Sequence, residues 1–175
     1  MEWDKYFFEI ASVIAKNSKC LSRQVGALLV SDNRILCTGY NGPPSGIPHC
    51  ESRYYDDNPL MIELDKKGIE KNEENIKLCP RRTLGYKSGE GLEWCIAGHA
   101  ERNVLITAAK HGISTNGKSM YLTCVVPCSP CLVEIINAGI KEVVVTRIEY
   151  YDVMSYYLIT HSKVVLRQYK FMEEE

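Results

Sequence analysis

An α/β fold, one sheet with helices on its faces, is what this sequence predicts. Three observations lead there. Hydrophobic residues make up 45% and charged residues 25% of the 175, the balance of a globular chain, and the length suits one domain with a substantial core. An amphipathic stretch at the start is followed by two strand-like runs. From about residue 100 onward, helical and strand patterns alternate regularly.

Residues 3–18 carry apolar side chains at Trp3, Phe7, Ile10, Ala11 and Ile14, the spacing of an amphipathic helix. Val25 to Val30 and Ile35 to Tyr40 read as strands with Ser31-Asp32-Asn33 between them, hence a β-hairpin. Asn41-Gly42-Pro43-Pro44-Ser45-Gly46 excludes regular structure. The stretch from about 47 to 95 holds a charged run, Glu63 to Lys77, and a Gly/Ser-containing segment, Gly85 to Gly91. Structureless connections of that length are uncommon, so short helical pieces and a metal clip are expected within a single 1–175 domain. Ala100 to Lys110 then reads as a helix, Ser119 to Cys124 as a strand, and Cys128 to Ala138 as a helix ended by Gly139. Val143 to Thr146 is a strand, Asp152 to Thr160 a helix and Lys163 to Leu166 a last strand, with Glu173 to Glu175 a frayed tail.

The net charge of -1 argues against a nucleic-acid binder, which carries a basic stripe, but allows a local basic pocket for one phosphate. The charged N-terminus lacks the apolar core of a signal peptide, and no apolar run approaches the ~20 residues that span a bilayer. A cytosolic protein with no membrane partner is the expectation. In that reducing setting the eight cysteines read as buried thiols or metal ligands before disulfides.

Two motifs carry the chemistry: His99-Ala100-Glu101 and Pro127-Cys128-Ser129-Pro130-Cys131. Catalytic zinc sites take three nitrogen or sulfur ligands and leave the fourth position to water, and His99, Cys128 and Cys131 supply that set. Cys128 and Cys131, at i and i+3 of a helix start, project from one face, and the positive end of the helix favours thiolates. Pro127 and Pro130 suit a helix beginning, where a missing N–H costs little. Glu101, beside the metal without ligating it, is the expected catalytic acid and base: it takes a proton from the activated water, passes it to the ring nitrogen, and then protonates departing ammonia. A lone CxxC is equally a structural half-site or redox pair. The combination in this order and helix–strand–helix setting matches the zinc deaminases that act on nucleobases.

The chain resembles the deoxycytidylate (dCMP) deaminases of the cytidine-deaminase superfamily, phage-type members included, over roughly residues 3–167. The resemblance rests on Cys20 through Val25-Gly26-Ala27, Thr38-Gly39-Tyr40-Asn41-Gly42, Pro48-His49-Cys50 and the two zinc motifs. It implies a three-layer α/β/α fold with a mixed five-stranded sheet. It also implies zinc-dependent hydrolysis of dCMP to dUMP and ammonia, the supply route to thymidylate, in a homo-oligomer of hexameric type regulated by dCTP with Mg²⁺ and by dTTP. Asn41, Ala100 and Tyr151 are the substrate contacts this implies, although Asn41 reads equally as a turn residue capping its own backbone. Arg23, Arg53, Arg81 and Arg82 are cationic candidates for the phosphate, and the effector would be sought in 47–95 and the Gly42 to Gly46 loop.

Relatives carry a second, structural zinc at positions matching Cys20 and Cys50. Cys79 and Cys95, with His49 as a substitute, would complete a closed shell; four separate buried thiols are the competing reading. Cys37 and Cys124 fall in strand patterns and are expected to be buried. Two alternatives stay open on function: a deaminase of dCTP or free (deoxy)cytidine, and a zinc-stabilised interaction module in which Glu101 is incidental.

Overall fold

In chain order the elements are helix α1 (Trp3–Ala15), strands β1 (Gly26–Ser31) and β2 (Arg34–Tyr40), helices α2 (Arg53–Asp56), α3 (Asn58–Lys66), α4 (Pro80–Thr83) and α5 (Ala100–Lys110), strand β3 (Ser119–Val125), helix α6 (Ser129–Asn137), strand β4 (Glu142–Arg147), helix α7 (Val153–His161) and strand β5 (Val165–Gln168). The computed structural model describes residues 2–170, so the expected tail at Glu173 to Glu175 lies outside the described residues. The chain forms two compact units. One comprises the residues up to Ser18, Val25–Asn41 and those from His99 onward; the other comprises Lys19–Gln24 and Gly42–Gly98.

The first unit holds the whole five-stranded sheet, ordered β2-β1-β3-β4-β5. β1 pairs antiparallel with β2 and β3, while β3, β4 and β5 are mutually parallel, so the sheet is mixed. The hairpin turns through Asp32 and Asn33, both at positive φ (50° and 57°), the conformation that matches strand twist in a two-residue loop. β1 is buried almost throughout because both faces of the sheet are covered. Ala27, Leu29, Met120, Leu122, Val143 and Val145 face Val104, Leu132 and Ile159 of α5, α6 and α7. Leu28, Val30, Tyr121 and Val144 face Phe7, Phe8 and Ala11 of α1. Two cores on opposite faces of one sheet make the three-layer α/β/α arrangement.

The buried stripe of α1 differs in detail from its apolar periodicity. Phe8 is buried, whereas Trp3 is 43% exposed and stacks on Phe7 at 5.8 Å. The large indole fits at the rim, where one face stays wet. β5 begins at Val165 and runs to Gln168, two residues later than the sequence pattern suggests at each end. Helix α7 begins at Val153, with Asp152 outside it as the capping residue.

The second unit carries the expected short helical pieces, α2 to α4, together with two 3₁₀ turns at Asn75–Lys77 and Leu92–Trp94. Its core is Tyr54, Leu60, Leu64 and Leu84. The Tyr54 hydroxyl donates to the Leu78 carbonyl at 3.0 Å and lies 2.7 Å from the Thr83 hydroxyl, so the buried phenol is satisfied. Asp57 caps α3 by accepting from Leu60 N–H at 3.1 Å. A two-way backbone bridge between Gly42 and Gly98 closes the unit where the chain leaves and rejoins the sheet unit. Among the described residues no helix is long and apolar enough to cross a membrane.

A polar strut ties α1 to the sheet. The Asp4 carboxylate accepts from the Tyr121 hydroxyl at 2.7 Å and pairs with Arg167, whose Nε also donates to Glu142 at 3.0 Å. Hydrogen bonding to Arg167 holds the Asp4 carboxyl below its ordinary range against the opposing effect of burial. A carboxyl depressed in the folded state contributes stability above its unfolded pKa, and that contribution is lost as pH falls through the folded value. Arg167 is 37% exposed, so solvent screening reduces the contribution to about 1 kcal/mol. Asp4→Asn should therefore lower the unfolding free energy measured by urea titration at pH 7 by that amount, with the deficit shrinking as the pH falls below the ordinary aspartate range of ~4. A deficit that stays constant through the acid range would place its origin elsewhere than in the charge.

Candidate metal centre

Topology sets up the site. β2 and β3 are both antiparallel to β1, so they run the same way, and β4 runs with β3. The carboxyl ends of β2, β3 and β4 therefore share one edge of the sheet, where Asn41, Pro127-Cys128 and Asp152 follow. Ligand sites of open α/β sheets favour that edge.

His99 is the N-cap of α5, in extended conformation (φ -72°, ψ 154°), and Glu101 lies in the first turn, only 5% exposed. Helix α5 packs unusually close to β2. A Cβ at Gly39 would stand 2.5 Å from Val104 N and 2.8 Å from the Ala100 carbonyl oxygen, distances no side chain tolerates. Asn103 Nδ2 donates to the Tyr40 carbonyl at 2.7 Å and pins the same contact.

Cys128 is the N-cap of α6 and Cys131 sits one turn in. His99 Nδ1 lies 3.4 Å from Cys128 Sγ and 3.3 Å from Cys131 Sγ. Around a tetrahedral zinc, with N at ~2.0 Å and S at ~2.3 Å, nitrogen and sulfur stand ~3.5 Å apart, so the three atoms have the spacing of a ligand set. Among the described residues these three form the group of metal-ligating type whose donor atoms lie within 4.8 Å of one another. Nδ1 is thus the ring nitrogen facing the sulfurs.

Hydrogen bonding from Cys131, and then from His99, lowers the Cys128 thiol against the opposing effect of burial. Cys131 is pushed far up by the same interaction, by burial and by the negative charge of Glu101. A metal would bind both sulfurs as thiolates. The positive end of α6 favours that charge.

Supporting contacts surround the ligands. Arg102, next to Glu101, makes a bidentate pair with Glu134 of α6 (Nε to the two oxygens at 2.9 and 3.0 Å), which links the helices that bear the two motifs. Asp152 accepts from Ser155 N–H at 2.8 Å and from Ser129 N–H at 3.0 Å. Burial raises its carboxyl, but the two amide bonds prevail and hold it below the usual carboxylate range. The Ser155 hydroxyl, fully buried, donates to the Pro127 carbonyl at 2.9 Å. The capping pattern Asp-x-x-Ser is visible in the sequence, but nothing there announces the partners at 127 and 129.

Residues 1–147 match the family model of the cytidine and deoxycytidylate deaminase zinc-binding region. The chain belongs to that family. Among relatives of this deaminase family, the deoxycytidylate deaminase of Schizosaccharomyces pombe is 36% identical over 95% of this chain, which spans 44% of that protein's length. The deoxycytidylate deaminase of Mycobacterium phage D29 is 32% identical over 82% of this chain and 93% of its own. This chain thus spans less than half the length of the fission-yeast relative and nearly all of the phage one. The dCMP deaminase of cyanophage S-TIM5, solved with dCMP and dUMP, has the same fold, with a TM-score of 0.64 at 23% identity over 96% of this chain and 97% of that one.

The remaining sequence candidates fall as follows. Ala100 is fully buried on α5. Asn41 is buried at the end of β2, its Oδ1 accepting from Val25 N–H at 2.7 Å and its carbonyl from the Ser18 hydroxyl at 2.6 Å. Its side-chain oxygen is therefore engaged with backbone. Tyr151 is half-buried, directly before Asp152. Cys37 is buried as expected, but Cys124 is only part-buried, because β3 emerges from the core near its end. In the second unit, Arg53 is buried and committed to Asp57 at 2.7 Å and to the Trp94 carbonyl at 2.6 Å. Arg81 and Arg82 donate to carbonyls of their own loop.

Cys131→Ser should lose one zinc per chain by elemental analysis while keeping its far-ultraviolet circular dichroism. A variant that retained its full metal content would remove Cys131 from the ligand set.

Proposed function

We propose that this protein is a zinc-dependent deaminase converting dCMP to dUMP and ammonia, with His99, Cys128 and Cys131 as metal ligands and Glu101 as the proton carrier. The observation that carries the reading is the convergence of His99 Nδ1 on two cysteine sulfurs beside a buried glutamate. Bound zinc supplies an activated water as nucleophile at neutral pH. Glu101, held in the first turn of α5, accepts the proton released as that nucleophile forms and delivers it to the ring nitrogen next to the amine-bearing carbon. It then takes the second proton, from the hydroxyl now bonded to that carbon, and gives it to the amine, which leaves as ammonia as the carbonyl forms. Ala100 and Asn41, at the end of the sheet where β2 and α5 meet, are read as substrate contacts, and so is Tyr151. The cytosine nucleotide is favoured because relatives at 36% and 32% identity are deoxycytidylate deaminases.

Glu101→Gln should retain zinc and fold while ammonia release from dCMP drops about 10²–10⁴-fold. Unchanged turnover would take Glu101 out of the mechanism. Initial rates on deoxycytidine, dCMP and dCTP at matched concentration decide the substrate: a strong preference for dCMP is expected. Equal or faster turnover of dCTP would replace it with a broader nucleotide deaminase, and silence on all three would favour an interaction module.

A second, structural zinc on Cys20, Cys50, Cys79 and Cys95, with His49 as substitute, is supported by their common place in the second unit. Cys50 and Cys79 are buried there, and burial together with the charges of Cys79, Cys20 and Cys95 pushes the Cys50 thiol up to about 11. Among the described residues the donor atoms gathered within 4.8 Å of one another are those of His99, Cys128 and Cys131, so a second ion would have to draw these four sulfurs together. Freshly purified, unchelated protein should then carry two zinc ions per chain, falling to one in Cys50→Ser/Cys79→Ser. One zinc in the parent protein ends this reading without touching the catalytic one.

A further inference from the structure

Cys128 is held on both sides by one helix that contributes no metal ligand. The peptide before it is fixed through the Pro127 carbonyl, which accepts from the buried Ser155 hydroxyl at 2.9 Å. The peptide after it is fixed through Ser129 N–H, which donates to Asp152 at 3.0 Å. Asp152 and Ser155 are the N-cap and third residue of α7, joined by the cap bond from Ser155 N–H at 2.8 Å. Both peptide planes flanking Cys128 are therefore held by α7, and with them its φ of -65° and its ψ of 158°, which restrict the rotamers open to Sγ. Each oxygen of the Asp152 carboxylate has its own amide, so the residue serves as helix cap and strut at once.

Helix α6 needs that outside help. Its own N-cap is a cysteine whose sulfur faces His99, and Pro130 at the second helical position has no N–H. An ordinary cap would come from a Ser, Asp or Asn side chain at position 128, which a metal ligand displaces. The strut gives the Ser129 amide an acceptor while leaving the sulfur to the metal.

We infer that Asp152 and Ser155 are positioning residues of the metal centre, a clamp from α7 that aims the Cys128 sulfur. This rests on the zinc reading of His99, Cys128 and Cys131. Partners that orient metal ligands are typically worth 10–100-fold in metal affinity or activity.

The test uses the full chain loaded with zinc. Asp152→Asn and Asp152→Ser each keep one acceptor for the α7 cap but cannot serve Ser129 as well; Ser155→Ala removes the bond to Pro127 from the other side. Zinc release to a chromogenic chelator at pH 7 should accelerate about 10–100-fold in each variant. The cobalt-substituted forms should show altered sulfur-to-cobalt charge-transfer and d–d bands, and kcat on dCMP should fall with KM within about twofold of the parent. Release rates and cobalt spectra matching the parent, with only the melting temperature lowered, would overturn the clamp and leave α7 a packing element. Should one aspartate variant fail to fold, the other and Ser155→Ala decide the matter by the same readouts. Faster zinc release from a protein that deaminates nothing would uphold the clamp and defeat the deaminase reading instead.

Discussion

Helix α5 lies against β2 with backbone touching backbone at Gly39, and the site depends on that closeness. Ala100, Val104 and Ala108, spaced one turn apart and fully buried, form the small-residue stripe that lets the helix settle so low. The first turn of α5 carries His99 and Glu101, so the height of the helix over the sheet is also the height of the imidazole. The cysteines ride on a different mount, the loop after β3 and the start of α6. Any residue with a Cβ at position 39 would lift α5 off β2 and draw His99 from the two sulfurs, now 3.3 and 3.4 Å away. Close-packed interiors transmit such shifts with little relaxation.

The mixed sheet completes the assembly. Because the hairpin turns β2 back alongside β1, and β3 pairs antiparallel to β1, three strand ends meet at one edge with Asn41, Cys128 and Asp152 on them. Gly26 at the start of β1 belongs to the same edge, and a Cβ there would stand 2.0 Å from the Ala11 carbonyl, so the other layer is held as tightly as α5 is. Both helical layers are thus set close to the sheet by glycines at the end where the site is built.

What could be read from sequence was what is local. The two motifs declare themselves because zinc ligands must be of certain types at certain spacings, and Cys128 and Cys131 are three apart for a helical reason. The helices and strands from residue 100 onward follow from periodicity, with shifts of a residue or two at their ends. The exposed Trp3 and buried Phe8 were not legible, since which apolar residue of α1 faces inward depends on the twist and height of the sheet beneath it. Asn41 could be placed at the end of a strand, but its oxygen's partner, Val25 N–H, is set by how the hairpin closes. The α7 clamp was least legible of all. Its bonds join residues 23 and 28 apart in sequence through packing that no pattern records.

Charge explains why these scattered supports belong together. Two sulfurs, Glu101 and Asp152 crowd negative charge around the start of α6. The helix end and Arg102 answer it in part. His99, Cys128 and Cys131 would hold a zinc dication with both sulfurs as thiolates, whose charges would offset the metal's and leave the buried Glu101 beside a centre of no net charge. Two amides hold the Asp152 carboxyl below the usual range, so it braces Cys128 as a carboxylate. Two carboxylates close to one centre thereby take different tasks: Glu101, in the first turn beside the sulfurs, is placed to move a proton, and Asp152, spent on backbone, is placed to hold still.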